Sequence, residues 1–483
     1  MPRLAWSNWG ALALGLALTL LTIWQIEAAR PDVAAAKTLV GTTPVTEWRQ
    51  DNAIATVVVA HGFAGSRPLM TALNWTLVRN GYDVVAFDFE GHGVNPVPMS
   101  GATDSIEGTT RRLVDETRRV MAHAGAAPAL LGHSMATDVL IRAALEEEAG
   151  PIIAISPFSG AVTPEHPRDL LLIAGEWEGR LIAFGREAIT QLDSAAEEGA
   201  PVGGEINRMA LIAPRVEHVG ILFSPFVLEA SVRWLDAAYG IAPREPAVAA
   251  IGYYILLLLA AIMLLWWPLA KLLPRGGEAQ AIPLRAFWWC VGFSIFAPVA
   301  VFWIDLAVLP VLVADYLVLH LGFTGTMHLL ILRHFGVGFG RLSVPGFAAL
   351  LVWGIAVFGL AIDTYAANFH PNLERTFILL ALALGAVPFM AADAIATQGG
   401  KAALWRRVVL RGAFFVSLAL AVSLDFERLF FLILIAPIIL LFFLIFGLMG
   451  RWTAARTGPL SPGLALGLIL AWALGVTFPL FQA

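Results

Sequence analysis

Eight long apolar runs fill the second half of the chain, and no other feature limits its possible folds so severely. They lie at roughly 247–269, 284–306, 311–333, 343–367, 375–396, 406–425, 428–450 and 460–482. Each is long enough to cross about 30 Å of hydrocarbon as a helix. Inside lipid every backbone N–H and C=O must find its partner within the segment, so an all-α polytopic transmembrane bundle is expected. Across 483 residues, 58% hydrophobic and 14% charged side chains exclude a simple soluble globule. Residues 30–246 nevertheless have ordinary soluble composition, so the chain divides into an N-terminal segment 1–29, an aqueous domain 30–246 and a membrane domain 247–483.

The run "WGALALGLALTLLTIW" near the N-terminus follows Arg3 and stops before Glu27. It reads as a signal peptide or as an uncleaved anchor. Trp6, Trp9 and Trp24 bracket it as interfacial aromatics do and favour the anchor, although "DVAAAK" offers small residues that a signal peptidase accepts. With the N-terminus inside, the inner links and helix ends collect Lys271, Arg275, Arg285, Arg333, Arg341, Lys401, Arg406, Arg407, Arg411, Arg451 and Arg456. The outer links hold little beyond Arg375 and Arg428. Positive residues collect on the cytoplasmic side, so the expected location is the inner (cytoplasmic) membrane, with the N-terminus cytoplasmic and the aqueous domain periplasmic. The net charge of −5, without any dense Lys/Arg stretch, argues against nucleic acid as a partner and leaves the lipid bilayer. The sole cysteine, Cys290, lies in an apolar run, so no intrachain disulfide is available.

In the aqueous domain "IATVVVAHG" and "YDVVAFDFEGHG" are buried-strand runs, and "RPLMTALNWTLVRNG" between them has helical spacing. A helix is expected over 104–122, then strand "APALLGHS", helix "MATDVLIRAALEEEA", strands "PIIAIS" and "RDLLLIAGE", a helix near 180–196, strand "RMALIAP" and a last helix "SPFVLEASVRWLDAAY". Alternation of this kind implies a mostly parallel doubly wound sheet with helices on both faces.

Residues 132–136, "GHSMA", follow a strand and open a helix. The segment resembles the nucleophile elbow G-x-S-x-G of the α/β-hydrolase superfamily, and the resemblance extends over about residues 38–245. It departs from the pattern at Ala136, which adds a methyl where strand and helix approach closely; ordinary helical dihedrals should tolerate it. The superfamily order is Ser, acid, His. By this resemblance Ser134 is the nucleophile, His218 in "PRVEHVGILFSP" the base, and Glu178 in "EWEG" the acid, with Glu176 as the alternative. The resemblance assigns the oxyanion hole to the backbone amides of Phe63 and Met135, an effect of roughly 3 kcal/mol per donor. It implies no cofactor and no metal. His92 and His133 read as structural, and His123 and His166 as solvated surface.

Only "PFSGAVTPEHP" separates the strands between which many superfamily members carry a helical cap, so the site is open unless the bundle covers it. Ionisable residues in lipid point to function. Asp315, His320 and Asp363, in the outer halves of their helices, form a candidate membrane-side pocket, or the two aspartates simply meet interfacial water. The combined expectation is a serine hydrolase or acyltransferase acting on lipid, lipid-linked or envelope glycan esters, in a layout loosely like eukaryotic GPI inositol-deacylases. A transporter or receptor with a regulatory hydrolase-like domain is the alternative, and the sequence leaves protein partners unknown.

Overall fold

The computed structural model describes residues 6–101 and 106–482. The first helix, α1 (Trp6–Ala28), leads into a nine-stranded sheet built from β1 (Ala35–Val40), β2 (Thr43–Trp48), β3 (Thr56–Ala60), β4 (Asp83–Phe87), β5 (Ala129–His133), β6 (Ile152–Ile155), β7 (Asp169–Gly175), β8 (Val202–Gly203) and β9 (Asn207–Ala213). Their order across the sheet is β1-β2-β4-β3-β5-β6-β7-β9-β8. The six strands from β4 to β9 in that order are mutually parallel, and the edges are antiparallel. The hairpin β1–β2 and the short β8 lie outside the sequence expectation. β1 is exposed along nearly its whole length, and its apolar residues do not alternate as a half-buried strand requires.

Helices α2 (Thr71–Arg79), α3 (Arg111–Ala124), α4 (Met135–Glu146), α5 (Gly179–Thr190) and α6 (Pro225–Ala238) cover the sheet. The central strands are buried on both sides, and alternate residues serve different cores. Val57, Val59, Val84, Ala86, Leu131 and Ile153 share a core with residues of α2 and α6. Val58, Ala60, Val85, Phe87, Leu130 and Ile152 share another with α3 and α4. This period-two division explains why these strands read as unbroken apolar runs. Helix α5 ends at Thr190, short of the expected 196.

The remaining helices are α7 (Gly252–Ala270), α8 (Leu284–Val301), α9 (Ala314–His334), α10 (Val344–Tyr365), α11 (Leu373–Ala396), α12 (Leu404–Leu424), α13 (Leu432–Thr457) and α14 (Leu460–Thr477). With α1 they make nine helices, among the described residues, long and apolar enough to cross a membrane. A π-helical turn over Trp353–Phe358 interrupts α10. Several ends differ from the sequence expectation. Residues 241–251 are an extended connection, α8 stops at Val301 before a loop, and α14 stops at Thr477 instead of continuing to 482.

Those last residues return to the sheet domain. Leu480 N–H donates to Gly91 O at 2.9 Å, Met99 N–H to Leu480 O at 2.8 Å and Gln482 N–H to Met99 O at 2.7 Å. Arg375, at the start of α11 and only 1% exposed, fastens the same corner. Its guanidinium donates to the carbonyls of Gly475 at 3.1 Å, Phe478 at 2.5 Å and Gly91 at 2.9 Å. Tyr365 Oη donates to Glu27 at 2.7 Å, and Asn368 N–H donates to Ser66 Oγ at 3.0 Å. The loops that follow β3 and β4 therefore rest on one end of the helical region.

Replacing Arg375 with methionine removes the donor from the buried carbonyls of Gly475 and Phe478 and leaves Gly91 O with Leu480 N–H alone. The variant is expected to unfold with about 3 kcal/mol less stability, read by thermal or denaturant unfolding of the full-length protein.

Candidate active site

The site is built at the C-terminal edge of the parallel strands, where open α/β sheets bind ligands. Ser134 sits between β5 and α4 with φ 54° and ψ −120°, a left-handed turn that is costly for a side-chain-bearing residue. Two glycines make this turn possible. A Cβ on Gly132 would lie 2.7 Å from Leu140 Cδ1 and 3.2 Å from Ala136 Cβ. A Cβ on Gly62 would lie 2.8 Å from the His133 ring and 3.0 Å from Ser134 Cβ. The methyl of Ala136 is fully buried against the glycine at 132, which yields the space, so the departure from the motif is accommodated.

His218, in the loop after β9, places Nε2 2.9 Å from Ser134 Oγ and Nδ1 2.5 Å from Glu178 Oε1. The other carboxylate oxygen of Glu178 accepts from Ser156 Oγ at 2.8 Å and from Gly175 N–H at 2.7 Å. Burial alone would raise the Glu178 carboxyl. The hydrogen bonds from His218, Gly175 and Ser156 outweigh it and hold the group below its usual range, so it stays ionised. An ionised acid fixes the imidazole with Nδ1 protonated and Nε2 turned to accept the serine proton. Glu176, the alternative acid, is turned elsewhere and accepts from Arg215 N–H at 2.7 Å.

Three further histidines surround this array, and none is placed to carry its proton. His133 Nε2–H donates to His218 O at 2.7 Å, which tethers the loop bearing the base. His61 Nδ1–H donates to Gly62 O at 2.8 Å while its Nε2 accepts from Phe89 N–H at 3.2 Å. Holding the Gly62 carbonyl this way puts Phe63 N–H on the opposite side of a planar trans peptide. Met135 is the first residue of α4, so its N–H lacks an intrahelical acceptor. These are the two amides expected for an oxyanion hole, and Gly62 and Met135 both adjoin Ser134. His92 donates from Nδ1 to Glu90 O at 2.8 Å and lies edge-on to Phe63, 5.7 Å between ring centroids. His123 is partly exposed beside Glu47, whereas His166 departs from its expected place at the surface: it is half-buried, 3.2 Å from Ile141 O.

Two acids absent from the expectation hold the β4 loop. Asp88 accepts from Arg67 N–H at 2.8 Å, Arg67 Nε at 3.0 Å and Val94 N–H at 3.2 Å. Glu116 on α3 accepts from Thr43, Glu90 N–H and Asn95, and burial raises its carboxyl to about 7. Both are buried, and no local motif marks them; only the distant loop that folds onto them reveals their part.

The helical region supplies one wall. Phe63 lies 5.2 Å from the Phe431 ring and 6.5 Å from that of Phe481, and Leu312 packs into the core cluster that Phe63 and Met135 adjoin. The opposite rim is open, with His218, Phe158, Trp177 and Val219 exposed and no helical cap between β6 and β7. The three residues of the expected membrane-side pocket are not brought together. Asp315 accepts from the N–H groups of Val308 and Leu309, and Asp363 from those of Phe369 and His370. His320 is buried between Tyr316 Oη at 3.1 Å and Ser417 Oγ at 2.9 Å. Of the three, Asp315 lines a cavity of about 310 Å³ that also touches Leu312, Arg428 and Phe481. The reason is local: both aspartates are held by loop N–H groups close in sequence. Among the described residues no group of three or more His, Cys, Asp or Glu could hold a metal ion.

A family model described as serine aminopeptidase, S33, matches residues 51–184, a span that contains Ser134 and Glu178 and stops before His218. No curated protein matches the chain significantly. Among solved structures, a predicted CIB-like hydrolase from Thermoplasma acidophilum is 17% identical, covering 42% of this chain and 98% of its own, with a TM-score of 0.35. Dienelactone hydrolase from Anabaena variabilis is 19% identical, covering 44% and 98%, with a TM-score of 0.31. A soluble variant of monoglyceride lipase from Saccharomyces cerevisiae is 12% identical, covering 43% and 96%, with a TM-score of 0.32.

Two predictions follow from this geometry. Ala136→Gly should keep a reactive Ser134, whereas Ala136→Val should press on Gly132 and lower Ser134 labelling at least about tenfold. Burial, and then the neighbouring His218, push His133 down to about 4 from 6.5, and burial lowers His61 and His92 as well. Stability carried by such neutral histidines is complete above about pH 6.5 and is lost as pH falls toward about 4. Glu116, raised to about 7, gains stability over the same range, so the His133 contribution is read as the difference in melting temperature between wild type and His133→Gln: it should shrink between about pH 7.5 and about pH 5, and a constant difference would contradict this assignment.

The matched model, the parallel sheet with its serine at the β5–α4 turn, and the helices on both faces lead to one assignment: this chain carries an α/β-hydrolase domain, joined to a helical region with nine candidate membrane spans.

Proposed function

We propose that the chain is a multi-pass inner-membrane serine hydrolase or acyltransferase whose periplasm-facing Ser134–His218–Glu178 triad acts on ester bonds of lipid, lipid-linked or envelope glycan substrates. The carrying observation is the continuous hydrogen-bonded line from Ser134 through His218 to Glu178. Ser134 Oγ attacks the ester carbonyl as its proton passes to His218 Nε2. The carbonyl oxygen becomes an oxyanion between the amides of Phe63 and Met135. Collapse breaks the ester bond, and the departing alkoxide takes the proton from His218. Water, or a second alcohol, then gives its proton to His218 and attacks the acyl-enzyme; collapse breaks the bond to Ser134 Oγ, which takes the proton back from His218 Nε2 as free acid or a new ester leaves.

Three observations favour a membrane-borne substrate. The triad lies against the helical region instead of under a cap of its own. Its open rim presents Trp177, Phe158 and Val219, exposed apolar side chains suited to acyl chains or interfacial lipid. The cavity of about 310 Å³ beyond Phe481 and Leu312 offers space for the part of a substrate held by the bundle. The orientation is supported by charge. Helix ends remote from the sheet domain hold Lys271, Arg333, Lys401, Arg406 and Arg451, while Arg375 and Arg428 lie at the near end.

A fluorophosphonate probe should label the wild-type protein in membranes and fail to label Ser134→Ala. Glu178→Gln should slow labelling by at least about a hundredfold, and Glu176→Gln should leave it within about twofold. Equal labelling of wild type and Ser134→Ala would defeat the reading. A panel of lipid esters, glycan esters and aminoacyl amides offered to the purified protein tests the substrate class.

A further inference from the structure

At the end of the helical region remote from Ser134, a cavity of about 460 Å³ opens between α11, α12, α13 and the start of α14. Arg375 at the near end and Asp393 at the cavity both lie on α11, eighteen residues apart, or about 27 Å along a helix. The cavity is therefore separate from the catalytic centre.

Its polar lining contains three cations and one acid: Arg407, Arg411, Arg451 and Asp393. Arg411 is committed, donating to both Asp393 oxygens at 3.0 and 2.8 Å and lying 4.4 Å over the Phe443 ring. Arg407 donates from Nε to Ala402 O at 3.1 Å. Among the described residues, neither Arg407 nor Arg451 has a carboxylate within ion-pair distance, so the cavity keeps an excess of positive charge. Apart from Thr397, whose hydroxyl donates to Asp393 O, its remaining walls carry no polar side chain. Leu404, Val408, Leu440 and Leu444 line it and are also largely exposed on the outer surface of the helices, so the opening faces sideways. Glycine creates the room: a Cβ added at Gly412 would meet nothing within 4 Å, and one at Gly447 would come no nearer than 3.7 Å to Arg411.

A basic pocket at a helix end with an apolar sideways mouth matches an anionic head group attached to hydrocarbon chains. We infer that this cavity is a binding site for an anionic phospholipid of the cytoplasmic leaflet, with its phosphodiester at Arg407 and Arg451 and its acyl chains along Val408, Leu440 and Leu444. The inference goes beyond the proposed ester chemistry and rests on the same membrane embedding, but not on Ser134. A soluble phosphate would meet the arginines and leave the apolar mouth unused.

The test uses the full-length protein in a neutral detergent, with native mass spectrometry and thermal unfolding as readouts. Dioleoyl phosphatidylglycerol, dioleoyl phosphatidylcholine and glycerol 3-phosphate are added separately. Phosphatidylglycerol should be retained at one molecule per chain and raise the melting temperature, while the other two should do neither. The double variant Arg407→Gln/Arg451→Gln should weaken retention by about thirtyfold. Gly412→Leu fills the cavity while sparing every arginine, and it should weaken retention comparably. Arg333→Gln/Arg341→Gln, which removes charges at the same end but outside the cavity, should change nothing. Equal retention by Gly412→Leu, by the double variant or of phosphatidylcholine overturns the site, and equal stabilisation by glycerol 3-phosphate overturns its lipid character. Fluorophosphonate labelling measured on the same samples reports the state of Ser134, so failure of the catalytic reading is seen independently.

Discussion

Close packing of three backbone segments around residue 134 is the constraint on which the rest of the structure depends. The β5 strand must turn at Ser134 with positive φ, α4 must leave at once, and the loop after β3 must cross beside it. Side chains at 62 or 132 would push these segments apart, and with them the Phe63 amide, the Ser134 hydroxyl and the His133 ring that tethers the base loop. The surrounding hydrogen bonds hold a geometry that the turn alone would not adopt. His61 fixes the Gly62 carbonyl, Ile155 O accepts from Ser134 N–H, and Thr137 Oγ1 donates to Ser134 O. The strain at Ser134 is sustained by that neighbourhood.

The second constraint is the seat of the sheet domain on the helical region. Arg375 is a buried cation held by carbonyl oxygens from three segments, α14, the residues after it, and the β4 loop. Removing a charge this deep from water is costly, and it is compensated only while all three carbonyls stay in place. The same corner continues through Gly91 to Glu90 and Asn95, then to Glu116, and so to the far face of the sheet. The wall formed at Phe63 by Phe431 and Phe481 is thereby fixed relative to the turn at Ser134.

The parts of this arrangement visible in the sequence were those written in local pattern. Buried strands show as apolar runs, the turn as Gly-His-Ser, and the chain order of serine, acid and histidine follows the order of strands. What stayed hidden depends on contacts distant along the chain. Glu176 and Glu178 are equivalent on paper, and only the direction of the turn after Gly175 sends one to His218 and the other to Arg215. Asp315 and Asp363 fall within long apolar runs, and the sequence alone leaves open whether they enter a pocket or meet interfacial water. Asp315 instead closes a loop at the start of its helix, and Asp363 a loop at the end of its own. Strand β1 left little trace, because an exposed edge strand has no buried face to impose alternation.

The return of residues 478–482 to the sheet domain bears on how the protein matures. All nine long helices precede these residues in the order of synthesis, yet the backbone of Leu480 pairs with Gly91 and Met99, and Phe481 N–H bonds to Pro310 O. The early domain can assemble its strands as it emerges, but its rim beside Phe63 lacks the Phe481 side of its wall until translation has passed the last helix. Synthesis of the entire helical region thus comes before completion of the serine's surroundings, which separates the birth of the domain from the completion of its rim.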